Sequence, residues 1–407
     1  MPEISILICN FALLYTRTIF MEFLLDITTS LKEHYTIPGI ALIVLMLCAF
    51  VAQIWRYVAY ARVAGFRLSR RATCREQEPP VSVIVPIFSE NQDYLDSGLL
   101  TLLTQEYAAF EVVAVYVGND DNFYADLKHL HNAYPHLTTT QIKFSPRYPI
   151  TNKTALNIGI KTARNECIVI TSTDARPASE RWLSLMAKGF MYGDIVLGYS
   201  NIEQQPTITN LLFRKYGFTD SLAWITSSIA GKTYGATRHN YGFTKSLYFS
   251  VRGFNYLSLN AGEDDLFIES IASATDASIV LSPRARCTEQ CWGGWGWYTD
   301  RAKDMLQTRR YYPTYARNYT DWELCSRFVF QLSAIATLVL MPLELKILAA
   351  VLIVLRYIIV SFALMRAANR IGERGIAAWG VLFDLIEPAM RIFLRNSKPR
   401  RADNQWR

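Results

Sequence analysis

Apolar residues along this chain are distributed in two ways: a few uninterrupted runs long enough to cross a bilayer, and shorter runs separated by turn residues. Residues 35–55 carry no charge, and IPGIALIVLMLCAFVAQIW can cross a hydrocarbon core of about 30 Å as a helix. Arg56, Arg62, Arg67, Arg70, Arg71 and Arg75 follow, a cationic flank that assigns the chain beyond residue 56 to the cytoplasm. Residues 328–343 and 347–364 are two further apolar stretches, split by Pro342, Glu344 and Lys346, which predict a helical hairpin with a short external turn. Arg356 interrupts the second stretch. A charge there costs roughly 3 kcal/mol unless it faces protein or water, so an interior or snorkelling arginine is expected. Arg366, Arg370 and Arg374 return the chain to the cytoplasm, and residues 376–394, mixing Trp379, Phe383 and Ile386 with Asp384, Glu387 and Arg391, predict a helix lying in the membrane interface. The apolar N-terminal segment, 1–34, carries Arg17 and Glu22 and lacks a small-residue cleavage site; it reads as an interfacial or spanning helix, or as upstream of a true start at Met21.

From about residue 80 to 325, strand-like and helix-like runs alternate, which predicts an α/β fold with a mostly parallel sheet. VSVIVPIF (81–88), EVVAVYV (111–117) and CIVITS (167–172) read as buried strands, and Leu99–Leu103 and ALNIGIKTA (155–163) as helices. Ligands of open α/β sheets bind beyond the carboxyl ends of the strands, which singles out Glu90, Asn119, Asp120 and the Ser172 to Arg176 turn.

Composition narrows the classes. With 51% hydrophobic and 19% charged residues over 407 positions, disorder and low-complexity architecture are excluded. A formal charge of +7 would suit nucleic acid, but the basic residues cluster beside apolar helices, so anionic lipid is the expected partner and nucleic acid is not. The seven cysteines form no CxxC pair and have no histidine at ligand spacing, which argues against a disulfide framework or a zinc site.

Five segments, in this order, resemble the family 2 glycosyltransferases, the membrane-associated group of hyaluronan-, chitin- and cellulose-synthase-like enzymes: VSVIVPIFSEN, LLTQEYAAFEVVAVYVGNDD, NKTALNIGIK, STDARPASERWL and GEDDLF. The resemblance spans about residues 80–270 and implies a GT-A-like nucleotide-sugar-binding domain. It also implies transfer from a nucleotide-diphosphate sugar donor to a glycan or lipid-linked acceptor, with a divalent cation, Mg²⁺ or Mn²⁺. Carried over residue by residue, Asp174 with Ser172 would hold the metal, Lys153 and Arg176 would face phosphates, and Asp264 would be the general base, with Asp265 its runner-up beside Glu263. His239 and Asn240, in the loop GKTYGATRHNYGF, resemble acceptor-side residues. Trp295, among Trp292 and Trp297, suits a sugar-stacking loop or an interfacial aromatic belt, and Arg301 either a phosphate contact or a juxtamembrane cation. Two departures stand out. Tyr116 and Val117 occupy the end of the second strand where the family commonly has acids, so that Asn119 or Asp120 would substitute, and QTRRY (307–311) is the nearest match to the Gln-x-x-Arg-Trp of processive synthases.

The chemistry needs two separate groups: positive charge against the leaving diphosphate and a carboxylate to take the acceptor proton. Three adjacent acids at 263–265 disfavour one another's ionisation, which suits a base, although carboxylates there also cap the following helix. A single displacement predicts inversion. The expected organisation is an apolar segment at 1–34, a membrane helix at 35–60, a basic linker at 61–80, a cytosolic transferase domain at 81–325, a membrane hairpin at 326–366 and an interfacial helix with basic tail at 367–407, in a cell inner (plasma) membrane. The rival readings are a polyprenyl-phosphate monosaccharide transferase and a catalytically inactive membrane carbohydrate-binding protein.

Overall fold

The computed structural model describes residues 22, 37–71, 73, 75–144, 150–254, 262–273, 275–376 and 380–396. Apart from Glu22, the expected N-terminal segment lies outside the described residues, as does the tail after 396. In chain order the helices are α1 (Ile37–Val63), α2 (Tyr94–Leu103, opening with a π-helical stretch), α3 (Asp121–Ala133), α4 (Asn152–Thr162), α5 (Trp182–Gly189), α6 (Ile208–Ile229), α7 (Lys245–Ser250), α8 (Asp265–Ala272), α9 (Trp295–Gln307), α10 (Thr314–Leu340), α11 (Leu343–Ile371) and α12 (Gly380–Asn396). The strands are β1 (Val81–Ile87), β2 (Phe110–Val117), β3 (Leu137–Ile142), β4 (Cys167–Ile170), β5 (Ala175–Pro177), β6 (Ile195–Leu197), β7 (Ser200–Ile202), β8 (Tyr241–Thr244), β9 (Ala277–Ile279) and β10 (Cys287–Glu289).

Contacts divide the chain into two units. The first comprises residues up to Val58 together with Asp321–Phe362. Gly39–Val63, Thr314–Leu340 and Leu343–Ile371 are each long and apolar enough to cross a membrane. The long helices of this unit expose apolar side chains, among them Leu45, Val51, Leu332, Val339, Val354 and Ile358, whereas Gln53, Glu323, Arg327 and Arg356 are buried. That inversion suits lipid, which hides no apolar surface from itself but leaves every polar group to find a partner inside the protein. Arg356 is fully buried, donates to Gln53 Oε1 at 3.0 Å and lies over the rings of Phe330 and Tyr357, the interior of the two readings expected for it. Gln53 in turn donates to Ser326 Oγ at 2.6 Å, and Arg327 pairs with Glu323.

The second unit, residues 59–320 and 363–407, holds a seven-stranded sheet of order β3-β2-β1-β4-β8-β6-β9. All neighbours are parallel except β8, which runs antiparallel to β4 and β6. Every residue of β1 is buried, as its unbroken apolar run requires of a central strand. Pro86 is tolerated there because β4 pairs only with Val81–Ile84, so one side of Pro86 needs no ladder partner. A smaller sheet has the order β5-β10-β7. This is the expected α/β architecture with a mostly parallel sheet.

In α12 the buried face mixes charged residues with apolar Phe383, Met390 and Leu394. Asp384 and Glu387 are 1% exposed, whereas Leu385, Ile386, Ile392 and Phe393 face outward. Glu387 accepts from Thr219 Oγ1 at 2.9 Å and pairs with Arg391 at 3.0 Å and Lys215 at 3.7 Å.

Candidate active site

The acidic turn expected to act in catalysis leads directly into α8 and is preceded by Gly262, whose φ of +97° is a conformation that L side chains rarely adopt. A Cβ at this position would also stand 2.8 Å from Leu266 Cδ1. The turn thereby presents Asp264 and Asp265 to one cleft, which is also lined by Arg238, His239, Glu289, Arg301, Thr308 and Tyr312. Asp264 is half-exposed, and one oxygen caps α8 by accepting from Asp265 N at 3.0 Å, which leaves its other oxygen without a hydrogen bond among the described residues. Asp265 is buried and its oxygens are occupied: Oδ1 by Leu266 N at 2.7 Å, Oδ2 by Tyr312 Oη at 2.6 Å and by Thr308 Oγ1. Burial, then the charge of Asp264, push the Asp265 carboxyl up to about 7 despite those donors. Glu263 is off the wall of the cleft: it accepts from Asn152 Nδ2 at 2.6 Å, its second oxygen is buried without a hydrogen bond, and burial raises its pKa. Lys153, at the start of α4, is buried within the field of the same three acids, and burial lowers its pKa against their pull.

A polar chain links the cleft to the turn after β4. Arg301 Nη2 stands 2.5 Å from His239 Nε2, and Ser172 Oγ 2.6 Å from Nδ1. The same Nε2 lies 3.4 Å from Glu289 Oε2. Arg301 also pairs with Glu289 at 2.9 Å. Burial alone would raise the Glu289 carboxyl, but Arg301 and His239 outweigh it and hold it down at about 2. Asp174 is exposed, and its carboxylate makes no hydrogen bond or ion pair among the described residues, where no group of three or more His, Cys, Asp or Glu side chains is assembled for a metal. The donor set therefore fits a hard cation only as one free carboxylate, with water and phosphate oxygens completing the shell, because Ser172 is already engaged by His239.

The remaining expected residues divide between anchored and open. Tyr116 is fully buried at the end of β2 and donates to Glu90 Oε1 at 2.6 Å; burial and that hydrogen bond push its pKa up to about 12. Asp120 caps α3 through Asn122 N and Phe123 N, and Asn119 accepts from Phe144 N at 2.8 Å. Arg176 donates to Thr173 O at 2.7 Å and stacks on Tyr94, with its centre 4.9 Å from the ring. Asn240, expected to orient a sugar, is instead used inside the protein: both amide N–H groups donate to Tyr199 O and Ala285 O, and Oδ1 accepts from Trp182 Nε1. Trp295 is 50% exposed, outside the cleft wall, edge-on to Phe213. Sequence reasoning missed Arg238, Glu289, Thr308 and Tyr312. The last two lie in or beside the QTRRY segment, whose likeness to a processivity motif and whose arginines, candidates to hold a diphosphate, say nothing of these hydroxyls.

The glycosyl transferase family 21 model matches residues 41–197, a different family number from the one that the motifs resemble. Among solved structures, the chain is similar to the mannosyltransferase PcManGT from Pyrobaculum calidifontis, solved with GDP-Man and Mn²⁺, at 18% identity over 82% of this chain and 98% of that one, with a TM-score of 0.53. TarS 1–349 of S. aureus in complex with UDP-GlcNAc matches at 15% identity over 77% of this chain and 92% of that one, with a TM-score of 0.41. No curated protein sequence matches. The fold is GT-A-like, and with the family match it defines the chain as a glycosyltransferase.

Proposed function

We propose that this glycosyltransferase is membrane-anchored and inverting, moving a sugar from a nucleotide-diphosphate donor to a glycan or glycolipid acceptor in cell-surface polysaccharide or glycolipid synthesis. The observation that carries the reading is the pair Asp264 and Asp265 on one wall of the cleft, one with a free oxygen and the other fully held. Asp264 takes the proton of the acceptor hydroxyl as that oxygen bonds to the anomeric carbon, and the bond from this carbon to the diphosphate oxygen breaks. One displacement from the opposite face inverts the centre. Asp265, fixed by Thr308 and Tyr312, sets the turn. Arg301 and His239 offer positive charge and a hydrogen-bonding edge on the facing wall.

Asp174 is the carboxylate that would hold Mg²⁺ or Mn²⁺, which neutralises charge on a leaving diphosphate. Support comes from its unpaired, exposed carboxylate and from the Mn²⁺ bound by the mannosyltransferase of similar fold. The anchor is three spans, with the transferase domain cytoplasmic at the plasma membrane, on the argument of the arginine flanks. The test incubates membranes containing the protein with a panel of sugar nucleotides and either cation, scoring nucleoside diphosphate release with and without extracted glycolipid. Release that depends on glycolipid is expected; none with any donor would refute the reading.

A further inference from the structure

A second cavity, of about 570 Å³, opens on residues that the transfer chemistry does not use. Its walls are the strands β7 and β10, through Asn201 and Thr288, and the end of α11, through Asn369, Gly372, Glu373 and Arg374, with Arg214 and Arg286 between them. Three arginines against one carboxylate leave two positive charges in excess. The carboxylate is spent: Glu373 accepts from Arg214 Nη2 at 2.6 Å and from Tyr199 Oη at 3.0 Å.

The donors are not spent. Arg374 is exposed, and its side chain makes no hydrogen bond or ion pair among the described residues. Arg286 is held in place by donating Nη1 to Gly372 O at 2.5 Å, and its Nη2 makes no hydrogen bond among the described residues. Thr288 Oγ1 donates to Asn201 Oδ1 at 3.0 Å, which fixes the amide so that its NH₂ remains free to donate. The approach of Arg286 depends on Gly372, whose φ is +89°; a Cβ there would stand 2.7 Å from Pro283 Cβ and 3.2 Å from Arg286 Nη1.

A cavity rich in fixed donors, with excess positive charge and its only carboxylate neutralised, selects an oxyanion. Arginine pairs and amide donors match phosphate geometry in particular. One wall is the last turn of α11, a helix apolar enough to cross a membrane, so the cavity is within a few residues of where that helix meets lipid headgroups. We propose that this cavity binds a phosphate group through Arg286 and Arg374, and that the phosphate is the headgroup of an anionic membrane phospholipid.

The test uses the full-length protein, purified in detergent, delipidated and titrated with phosphatidylglycerol, phosphatidylcholine or soluble pyrophosphate under native mass spectrometry. One tightly held phosphatidylglycerol is expected in the wild type, with affinity at least about tenfold lower in Arg374→Glu and in Arg286→Ala. Arg286→Ala removes the bond to Gly372, so Arg374→Glu, which breaks no bond in the protein, is the decisive variant should the first misfold. Pyrophosphate binding that responds to these substitutions, without a phosphatidylglycerol response, would keep the phosphate site and overturn its membrane source. Phosphatidylglycerol and pyrophosphate binding unchanged by Arg374→Glu would overturn the site.

Discussion

At the scale of single residues, the two aspartates of the acidic turn separate by what their oxygens already do. Asp264 keeps one free toward the cleft, whereas Asp265 has three donors on two oxygens. Asp264→Asn preserves shape but removes the proton acceptor, so turnover should fall by roughly 10²-fold or more while donor binding, measured by calorimetry, stays near wild type. A variant with near-normal turnover would remove Asp264 from its role. Asp265 leaves its mark on stability. Its carboxyl is raised from 3.8 to about 7, so below 3.8 it is protonated in both states, and as pH climbs through 7 the unfolded chain releases the proton first. Stability should therefore decline over that window, by on the order of 4 kcal/mol at full extent. Asp265→Asn cannot ionise and should flatten the decline, read as thermal unfolding midpoints in detergent at pH values from about 5 to 8. Glu289 works on the acid side: held down at about 2 from 4.5, it contributes stability above 4.5 that is lost as pH falls toward 2, so the two windows meet only between 3.8 and 4.5.

At the scale of elements, α12 shows how charged residues come to share a buried face with Phe383, Met390 and Leu394. Glu387 is shared by Thr219, Arg391 and Lys215, all within a few ångströms and nearly out of contact with water. Removing one member of a buried charge cluster leaves the others without its compensation, so Glu387→Ala should lower stability by roughly 3 kcal/mol or more. A midpoint unchanged from wild type would mean that water reaches the cluster. The spacing of Asp384, Glu387 and Arg391 was visible in the sequence, but which face they would turn inward was not, because their partners Thr219 and Lys215 are far away in the chain. The same distinction holds across the sheet. β1, β2 and β4 were legible because central parallel strands read as unbroken apolar runs, whereas β3, with the sequence LTTTQI, is a half-buried edge strand that carries little such signal. The three-residue strands β5, β7 and β10 exist only through pairing with one another and have no local pattern to find. In the cleft, the acidic turn was legible as a local motif; the groups that hold Asp265 arrive 43 and 47 residues later.

At the scale of the whole molecule, three helices long enough to cross a bilayer constrain the path of the chain. If α1, α10 and α11 all cross, the intervening residues 64–313 and the chain after Ile371 share one side, because α10 and α11 are two crossings joined by a turn at Met341 and Pro342. The proposed cytoplasmic orientation rests on charge: Arg62, Arg67, Arg71, Arg366, Arg370 and Arg374 flank the ends on the domain side, against Glu344 and Lys346 at the turn. The native thiols are poor reporters, since Cys167, Cys287 and Cys291 are buried and Cys48 and Cys325 fall within the spans. A better pair is Lys128→Cys, on the exposed face of α3, and Met341→Cys, at the turn, each in a background with Cys9, Cys48, Cys74 and Cys325 replaced by Ser. With a membrane-impermeant maleimide, Met341→Cys should label in intact cells and Lys128→Cys only after permeabilisation. The reverse pattern would place the transferase domain outside the cytoplasm, and labelling of both in intact cells would mean that the α10 and α11 hairpin does not cross.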